Sequence, residues 1–144
     1  MTIIIRDVTK EDAWLVSQVN IQIWRESYSD FIDKRDLESL NLDEMASRRH
    51  AFYAAKHKHH LNLIIEERHQ IIGFCEGGPP REPSEYAKGE IYTLYIRQSH
   101  QGRGFGKSLF LYALKELRKQ HLSPILVGVL RENRKSMAFY EYMG

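Results

Sequence analysis

Three glycines at alternate positions, Gly102, Gly104 and Gly106, stand directly before an apolar helical pattern in the segment HQGRGFGKSLF. Glycines before a helix let the backbone turn tightly and approach a ligand closely. The N–H groups of the first helical turn have no partner inside the helix, and they point toward that ligand. An anion such as a phosphate group is the ligand that this arrangement favours. The segment therefore predicts an anion-binding loop.

The spacing of these glycines separates three kinds of phosphate loop. The nucleoside-triphosphate loop, G-x-x-x-x-G-K-[ST], would end on the GKS at 106–108, but its first glycine then falls on Gln101. The dinucleotide fingerprint, G-x-G-x-x-G, places its third glycine on Lys107 or Leu109, so it fails as well. What remains is Q-x-x-G-x-G starting at Gln101. This pattern resembles the acyl-CoA pyrophosphate loop, Q/R-x-x-G-x-G/A, of the GNAT N-acetyltransferases.

The resemblance to the GNAT family extends along nearly the whole chain. The stretch IIIRDVTKEDA is similar to the family's first strand and the start of its first helix, and EIYTLYIRQSHQGRGFGKSLF to its fourth strand, pyrophosphate loop and third helix. The stretch ILVGVLRENRKSMAFYEYMG is similar to the fifth strand and the N-x-x-[AS]-x-x-F-Y-x-x-x-G segment. IWRESYSDFI is similar, more weakly, to the first-helix region of a polyamine-acetylating branch. The family is therefore expected, but the acceptor is not specified.

The resemblance implies acetyl-CoA as cosubstrate and no metal. The loop at 101–107 would present backbone N–H groups to the CoA pyrophosphate, and the strand at 94–96 would pair its backbone with the pantetheine arm. Asn133 would bind the pantetheine or ADP portion, or it caps the last helix. The expected cofactor-binding residues are Leu94, Tyr95, Ile96, Gln101, Gly102, Arg103, Gly104, Phe105, Gly106, Lys107, Asn133 and Tyr140.

Two residues are candidates for moving protons. Tyr140 matches the family's general acid, which protonates the departing CoA thiolate; the alternative is a tyrosine that packs beside Phe139. An alkylamine with a pKa of about 10.4 is almost entirely protonated at neutral pH, so amine acetylation requires a base. Glu90, at the start of the fourth strand, is the first candidate, acting directly or through a water. It would otherwise be a solvated carboxylate at a strand end.

The acceptor side is less defined by the sequence. Trp24, Tyr28 and Phe31 are expected to line an acceptor pocket, although core packing is the better explanation for at least one of them. Glu76 is the second candidate for the base, or it binds a substrate cation. The acceptor is an amine: a polyamine, another small amine or a protein amine. The alternative to an enzyme is a catalytically silent acyl-CoA-binding or sensing module.

Composition excludes several other classes of protein. A net charge of +2 and a pI near 8.6 argue against nucleic acid as the partner, and Arg131, Arg134 and Lys135 fit a solvated loop. No apolar run reaches the length of a membrane span, and the single cysteine, Cys75, forms no internal disulfide. The histidines at 57, 59 and 60 lack a recognised metal-ligand spacing. A cytoplasmic protein is expected.

The predicted elements that position these residues form one α/β domain over residues 1–144. Their order is strand, helices, three consecutive strands, helix, strand and a short last helix. This order indicates a mixed, mostly antiparallel sheet flanked by helices, with a parallel pair around the glycine loop that is splayed in the GNAT fold. GNAT proteins continue past the position that Gly144 matches. The strands that follow this position in GNAT proteins are therefore expected either to be absent here or to be supplied otherwise, for example by a homodimer partner.

Two amphipathic patterns predict the residues that face the core. On the first helix these are Leu15, Val16, Val19 and Ile23, and on the helix after the glycine loop they are Phe105, Leu109, Tyr112, Ala113 and Leu117. Thr9 and Asp12 have the spacing of a capping box, with aspartate in place of glutamate, at the start of the first helix.

Overall fold

The computed structural model describes residues 3–27, 41–55, 57 and 59–127. Its elements are β1 (Ile3–Asp7), a 3-10 turn (Lys10–Asp12), α1 (Ala13–Ser27), α2 (Leu42–Ala55), β2 (Leu61–Glu67), β3 (Gln70–Gly78), β4 (Gly89–Ile96), a second 3-10 turn (Gln98–His100), α3 (Phe105–Lys119) and β5 (Ile125–Val127). Within these ranges, no helix combines the length and apolar character needed to cross a bilayer.

The strands form one sheet in the order β1-β2-β3-β4-β5. The first three neighbouring pairs are antiparallel, whereas β4 and β5 run parallel, with Gly89–Ile91 aligned on Ile125–Val127. The predicted mixed, mostly antiparallel α/β sheet is therefore confirmed, and the crossover between the parallel strands carries α3. The expected splay beside 94–96 involves strand residues after Val127, which lie outside the described part of the chain.

One face of the sheet is covered by α3. Its buried residues follow the helical repeat and pack on apolar side chains of β2, β3 and β4, many of them β-branched, which suits a pleated surface. The prediction for Tyr112 was wrong, because its side chain is exposed. Phe110 is buried in its place, and Leu114 is partly buried on the same flank. The apolar face of α3 therefore includes Phe110 and Leu114 and lies away from Tyr112.

The other face of the sheet is covered by α1 and α2. Val16, Val19 and Ile23 of α1 pack against apolar side chains of β2 and β3, as predicted. The prediction for Leu15 was wrong, since 50% of its surface is exposed. Leu15 precedes Val16, and successive helical residues lie about 100° apart around the axis, so it points away from the sheet.

The start of α1 is fixed by the predicted capping box. The Thr9 N–H donates to Asp12 Oδ2 at 2.7 Å. Arg6 joins Asp12, 2.8 Å away, to Glu66 of β2, 2.6 Å away. Burial alone raises the pKa of Asp12, but the hydrogen bonds from Arg6 and from the Thr9 N–H lower it, and the resulting pKa lies below the ordinary value. This network attaches the first helix to the edge of the sheet.

Candidate functional site

The glycine loop connects the end of β4 to the start of α3. Gly102 has a φ of 78° and Gly104 a φ of 85°, a left-handed conformation that favours glycine. A Cβ atom built on either residue would meet no other atom within 4 Å. Conformation, and not crowding, therefore requires glycine at these two positions. The backbone of the loop faces open space that a ligand can enter.

The first turn of α3 offers the N–H groups that an anion requires. Gly104 is the N-cap, and no side chain in the described part of the chain caps the helix there. The first helical bond runs from the Ser108 N–H to the Gly104 carbonyl at 3.1 Å. The N–H groups of Phe105 and Gly106 precede it and therefore have no partner inside the helix. Together with the dipole of a 15-residue helix, they favour a bound phosphate.

Hydrogen bonds on either side hold the loop in place. Gln101, expected to contribute its N–H group, also uses its side chain: Nε2 donates to the carbonyl of Ile96, the last residue of β4, at 3.0 Å. The Gln98 N–H donates to a carboxylate oxygen of Glu26 in α1 at 3.3 Å. The loop is thus anchored to the strand before it and to the helix on the opposite face of the sheet.

The cation at the centre of the loop has a partner that the sequence did not indicate. Arg103 Nη2 lies 3.2 Å from Glu67 Oε2, at the end of β2, and its guanidinium lies 4.9 Å from the centroid of the Phe105 ring. His100 Nε2 lies 3.7 Å from the other oxygen of the same carboxylate. Glu67 therefore holds part of the positive charge that was expected to face the phosphates. Lys107 is exposed on the first turn of α3.

A bulge interrupts β4 in the middle of the strand. Glu76 of β3 pairs with Thr93, but the next residue, Gly77, pairs with Ile91, so Tyr92 is the extra residue. Its hydroxyl donates to the carbonyl of Pro79 in the loop that follows β3. A bulge changes the direction of neighbouring side chains, and bulges are frequent next to active sites.

A polar cluster lies beside this bulge, between the sheet and the two helices that cover it. The Thr93 hydroxyl donates to Glu76 Oε1 at 2.8 Å, and Arg49 Nη2 of α2 lies 4.0 Å from the same oxygen. Arg49 Nη1 donates to Ser17 Oγ of α1 at 3.0 Å. Burial raises the pKa of the neighbouring Tyr53 to about 12, so its phenol stays protonated at neutral pH. Residues of four elements therefore form this cluster, with Arg49 between Ser17 and Glu76.

Glu90, the first candidate for the base, lies on the same face of the sheet as Glu76. Glu90 pairs with Gly78, two residues from Glu76 along β3, and alternate strand residues share a face. Glu90 Oε1 accepts a hydrogen bond from the Arg81 N–H at 2.9 Å, and the Arg81 guanidinium lies 4.5 Å from the centroid of the Tyr92 ring. Burial, followed by the charge of Glu90, raises the pKa of Tyr92. Glu90 thus faces the loop after β3.

The remaining predicted residues are placed as follows. The side chains of Leu94 and Ile96 pack on the α3 side of the sheet, and Tyr95 packs on the α1 side with its ring 5.4 Å from that of Phe74. Trp24 is half-buried near the end of α1. The predicted residues Tyr28, Phe31, Asn133 and Tyr140 lie outside the described part of the chain.

Two other sequence features have a structural explanation. Cys75 is buried, and burial raises the pKa of its thiol well above the ordinary value, which does not suit a nucleophile. The His57 ring stacks on Phe52 with a centroid distance of 4.1 Å, and His60 meets both rings edge-on. In the described ranges, no three His, Cys, Asp or Glu side chains form a group that could hold a metal ion.

Sequence comparison relates most of the chain to one group of proteins. A family model described as the acetyltransferase (GNAT) family matches residues 20–144. The uncharacterized N-acetyltransferase YuaI of Bacillus subtilis (strain 168) is 26% identical over 137 residues, which are 95% of this chain and 76% of that protein. The mycothiol acetyltransferase of Renibacterium salmoninarum is 34% identical over 83 residues. That match covers 57% of this chain and 25% of the relative, so it concerns a minor part of that enzyme.

Structure comparison finds the same fold in solved N-acetyltransferases. The PaiA N-acetyltransferase from Thermoplasma acidophilum, solved in complex with coenzyme A, superposes with a TM-score of 0.82 at 24% identity, covering 100% of this chain and 89% of that one. The GCN5-related N-acetyltransferase from Ralstonia eutropha JMP134 has a TM-score of 0.75 at 21% identity, covering 99% and 92%. At these identities, the likeness shows a shared fold.

Proposed function

Because the chain belongs to the acetyltransferase (GNAT) family, we propose that it transfers an acetyl group from acetyl-CoA directly to a primary amine. The observation that carries this proposal is the loop before α3, where two left-handed glycines leave the backbone open and the first helical turn presents its N–H groups. This arrangement suits a pyrophosphate.

The residues present fit the cofactor that the family implies. The N–H groups of the loop at 101–107 would bind the pyrophosphate, with Lys107 and Arg103 adding positive charge. The backbone of Leu94, Tyr95 and Ile96 would bind the pantetheine arm, because its amides match the hydrogen-bonding groups of a strand edge. When bound, acetyl-CoA supplies an activated thioester. Tyr140 and Asn133 are proposed at this site from the family resemblance alone.

The acceptor amine is proposed to bind on the face of the sheet that α1 and α2 cover. Glu76 and Glu90 both lie on this face, and both carboxylates attract an ammonium group. Glu90 is the proposed base, which takes the amine proton directly or through a water, and Glu76 binds the substrate cation. Trp24 and Tyr28 would contribute apolar surface, together with Phe31. Tyr140 would return a proton to the departing thiolate.

The proposal is tested by incubating the protein with acetyl-CoA and three sets of acceptors: polyamines, small monoamines, and peptides with a free N-terminus or lysine. Thiol release is followed continuously, and acetylated product is identified by mass. We expect amine-dependent thiol release with at least one set. Protein that CoA stabilises to heat, but that releases thiol with none of them, would instead support the acyl-CoA-binding or sensing module.

A further inference from the structure

The proposed path of the cofactor along β4 ends beside Thr93. The pyrophosphate would lie at the start of α3 and the arm along 94–96, so the next residue toward the thioester is Thr93. Glu90 is opposite Gly78, two residues from Glu76 along β3, and each strand residue advances about 3.3 Å, so Glu90 lies roughly 7 Å farther along the sheet. Glu76 is directly opposite Thr93 and accepts a hydrogen bond from its hydroxyl at 2.8 Å. Of the two carboxylates, Glu76 is therefore the one beside the thioester end of this path.

The two oxygens of Glu76 have different surroundings. Oε1 accepts the hydrogen bond from Thr93 and also lies 4.0 Å from Arg49 Nη2. Oε2 forms no hydrogen bond or ion pair with the described residues, and the side chain keeps 27% of its surface exposed. An ionised carboxylate accepts about four hydrogen bonds, so Oε2 retains the capacity to bind a donor. An ammonium group is the donor that it binds most strongly.

Arg49 is held firmly without forming a direct hydrogen bond to Glu76. Nη1 donates to Ser17, and the guanidinium lies 5.4 Å from the centroid of the Phe74 ring. The side chain is 15% exposed, and its Nε is buried without an acceptor among the described residues. A buried guanidinium with an unused donor costs stability.

We infer that Arg49 is a positioning residue for Glu76, which binds the acceptor amine through Oε2. The fixed positive charge of Arg49 attracts Oε1 toward α2, and the Thr93 hydroxyl holds that oxygen from the strand side. Because both contacts hold Oε1, Oε2 is the oxygen that is left for the amine. This inference rests on the proposed function and adds to it the residue that orients Glu76 and the carboxylate oxygen that binds the amine.

The test is a double-mutant cycle on acceptor kinetics with four proteins: the parent, Arg49→Gln, Glu76→Gln and the double variant. Arg48→Gln is the matched control, because Arg48 adjoins Arg49 on α2, is 78% exposed and pairs only weakly with Glu44 at 3.7 Å. KM and kcat are measured for an accepted amine at saturating acetyl-CoA. CoA affinity and thermal stability are measured on all five proteins, so that a folding defect is seen separately.

We expect Glu76→Gln to raise the acceptor KM about 10- to 100-fold, as for the loss of a charged hydrogen bond, with a smaller change in kcat. Arg49→Gln is expected to raise KM on the order of tenfold when Glu76 is present and less than twofold when residue 76 is glutamine. Arg49→Lys recovers most of the loss because it keeps the charge. Arg48→Gln leaves the kinetics unchanged.

Independent effects of the two substitutions would overturn the inference, and so would a loss of CoA affinity equal to the loss of acceptor affinity. If Arg49→Gln fails to fold, Arg49→Lys and Glu76→Gln still test the inference. An unchanged acceptor KM in Glu76→Gln refutes the role of Oε2. Amine-dependent thiol release without this coupling refutes only the inference. A protein that releases no thiol with any amine, and that no amine stabilises when CoA is bound, refutes the proposed function and the inference together.

Discussion

Replacing Gly104 with glutamate and, separately, with glutamine tests whether the loop at 101–107 binds an anion. The two side chains have the same shape and differ in charge. Both substitutions place an L-residue at a φ of 85°, which costs about 1–2 kcal/mol of folding stability. No further packing cost is expected, because a Cβ at this position meets no atom within 4 Å. Any difference between the two variants therefore comes from the charge and not from the size of the side chain.

The charge is expected to change stability and ligand affinity in opposite directions. In the free protein, a carboxylate at the N-terminus of α3 stabilises the helix by about 0.3–1 kcal/mol, so Gly104→Glu should be slightly more stable than Gly104→Gln. With CoA bound, that carboxylate would face the pyrophosphate, and a separation on the order of 5 Å serves for the Coulomb estimate. Two like charges at this separation repel by about 1–3 kcal/mol, between bulk water and a partly buried site. This corresponds to an affinity about 5- to 150-fold weaker than that of Gly104→Gln.

Calorimetric titration with CoA, together with thermal unfolding with and without CoA, measures both quantities on the same samples. The expected pattern is a higher unfolding temperature for the free Gly104→Glu protein and a weaker CoA affinity for it. Equal CoA affinities in the two folded variants would show that the pyrophosphate does not lie at the start of α3, and the reasoning from the loop would then be wrong.

Three further substitutions test other parts of the molecule. Tyr140→Phe should lower kcat by about 10²- to 10⁴-fold with CoA affinity unchanged if the phenol is the general acid, and an unaltered kcat under chemistry-limited conditions would exclude it. Gly89→Ala should lower the unfolding temperature, because a Cβ there would overlap the Leu122 carbonyl oxygen, and an unchanged value would refute that contact. The lowered pKa of Asp12 adds stability that is present above about pH 4 to 5 and is lost as the pH falls through the pKa of the folded state. Denaturant titrations across that range should show that acid lowers the free energy of unfolding less in Asp12→Asn than in the parent.

The conformation of the glycine loop could be predicted from the sequence because it is determined locally. A left-handed backbone conformation selects glycine, and the N–H groups of a first helical turn exist whatever packs around them. The glycine spacing therefore contributed to the family resemblance and to the predicted start of α3. The capping box of Thr9 and Asp12 was predicted for the same reason, since its two members are separated by three residues.

The polar cluster around Glu76 could not be predicted, because its members come from four separate elements. Nothing in the pair Arg48 and Arg49 distinguishes the exposed arginine from the buried one, and Ser17 is an ordinary polar residue of a helix. The ion pair of Arg103 with Glu67 was missed for a similar reason, since it joins residues that are 36 positions apart in the chain. Glu76 was predicted as a site residue, but its orientation depends on partners that only the fold brings to it.

In the proposed function, β4 lies beside two ligands of opposite charge, and the bulge marks a change in what the strand contacts. Before the bulge, Gly89–Ile91 are engaged with β5, and after it the strand continues to the loop that the cofactor would occupy. On the proposed path the anionic cofactor uses mainly backbone groups, namely the strand at 94–96 and the first turn of α3. The side chains of Glu76 and Glu90 thus stay available for a cation. Thr93, opposite Glu76, lies three residues before the end of β4, which is about 10 Å at 3.3 Å per residue. The carboxylates are therefore kept apart from the phosphates, and the repulsion between these negative charges is limited.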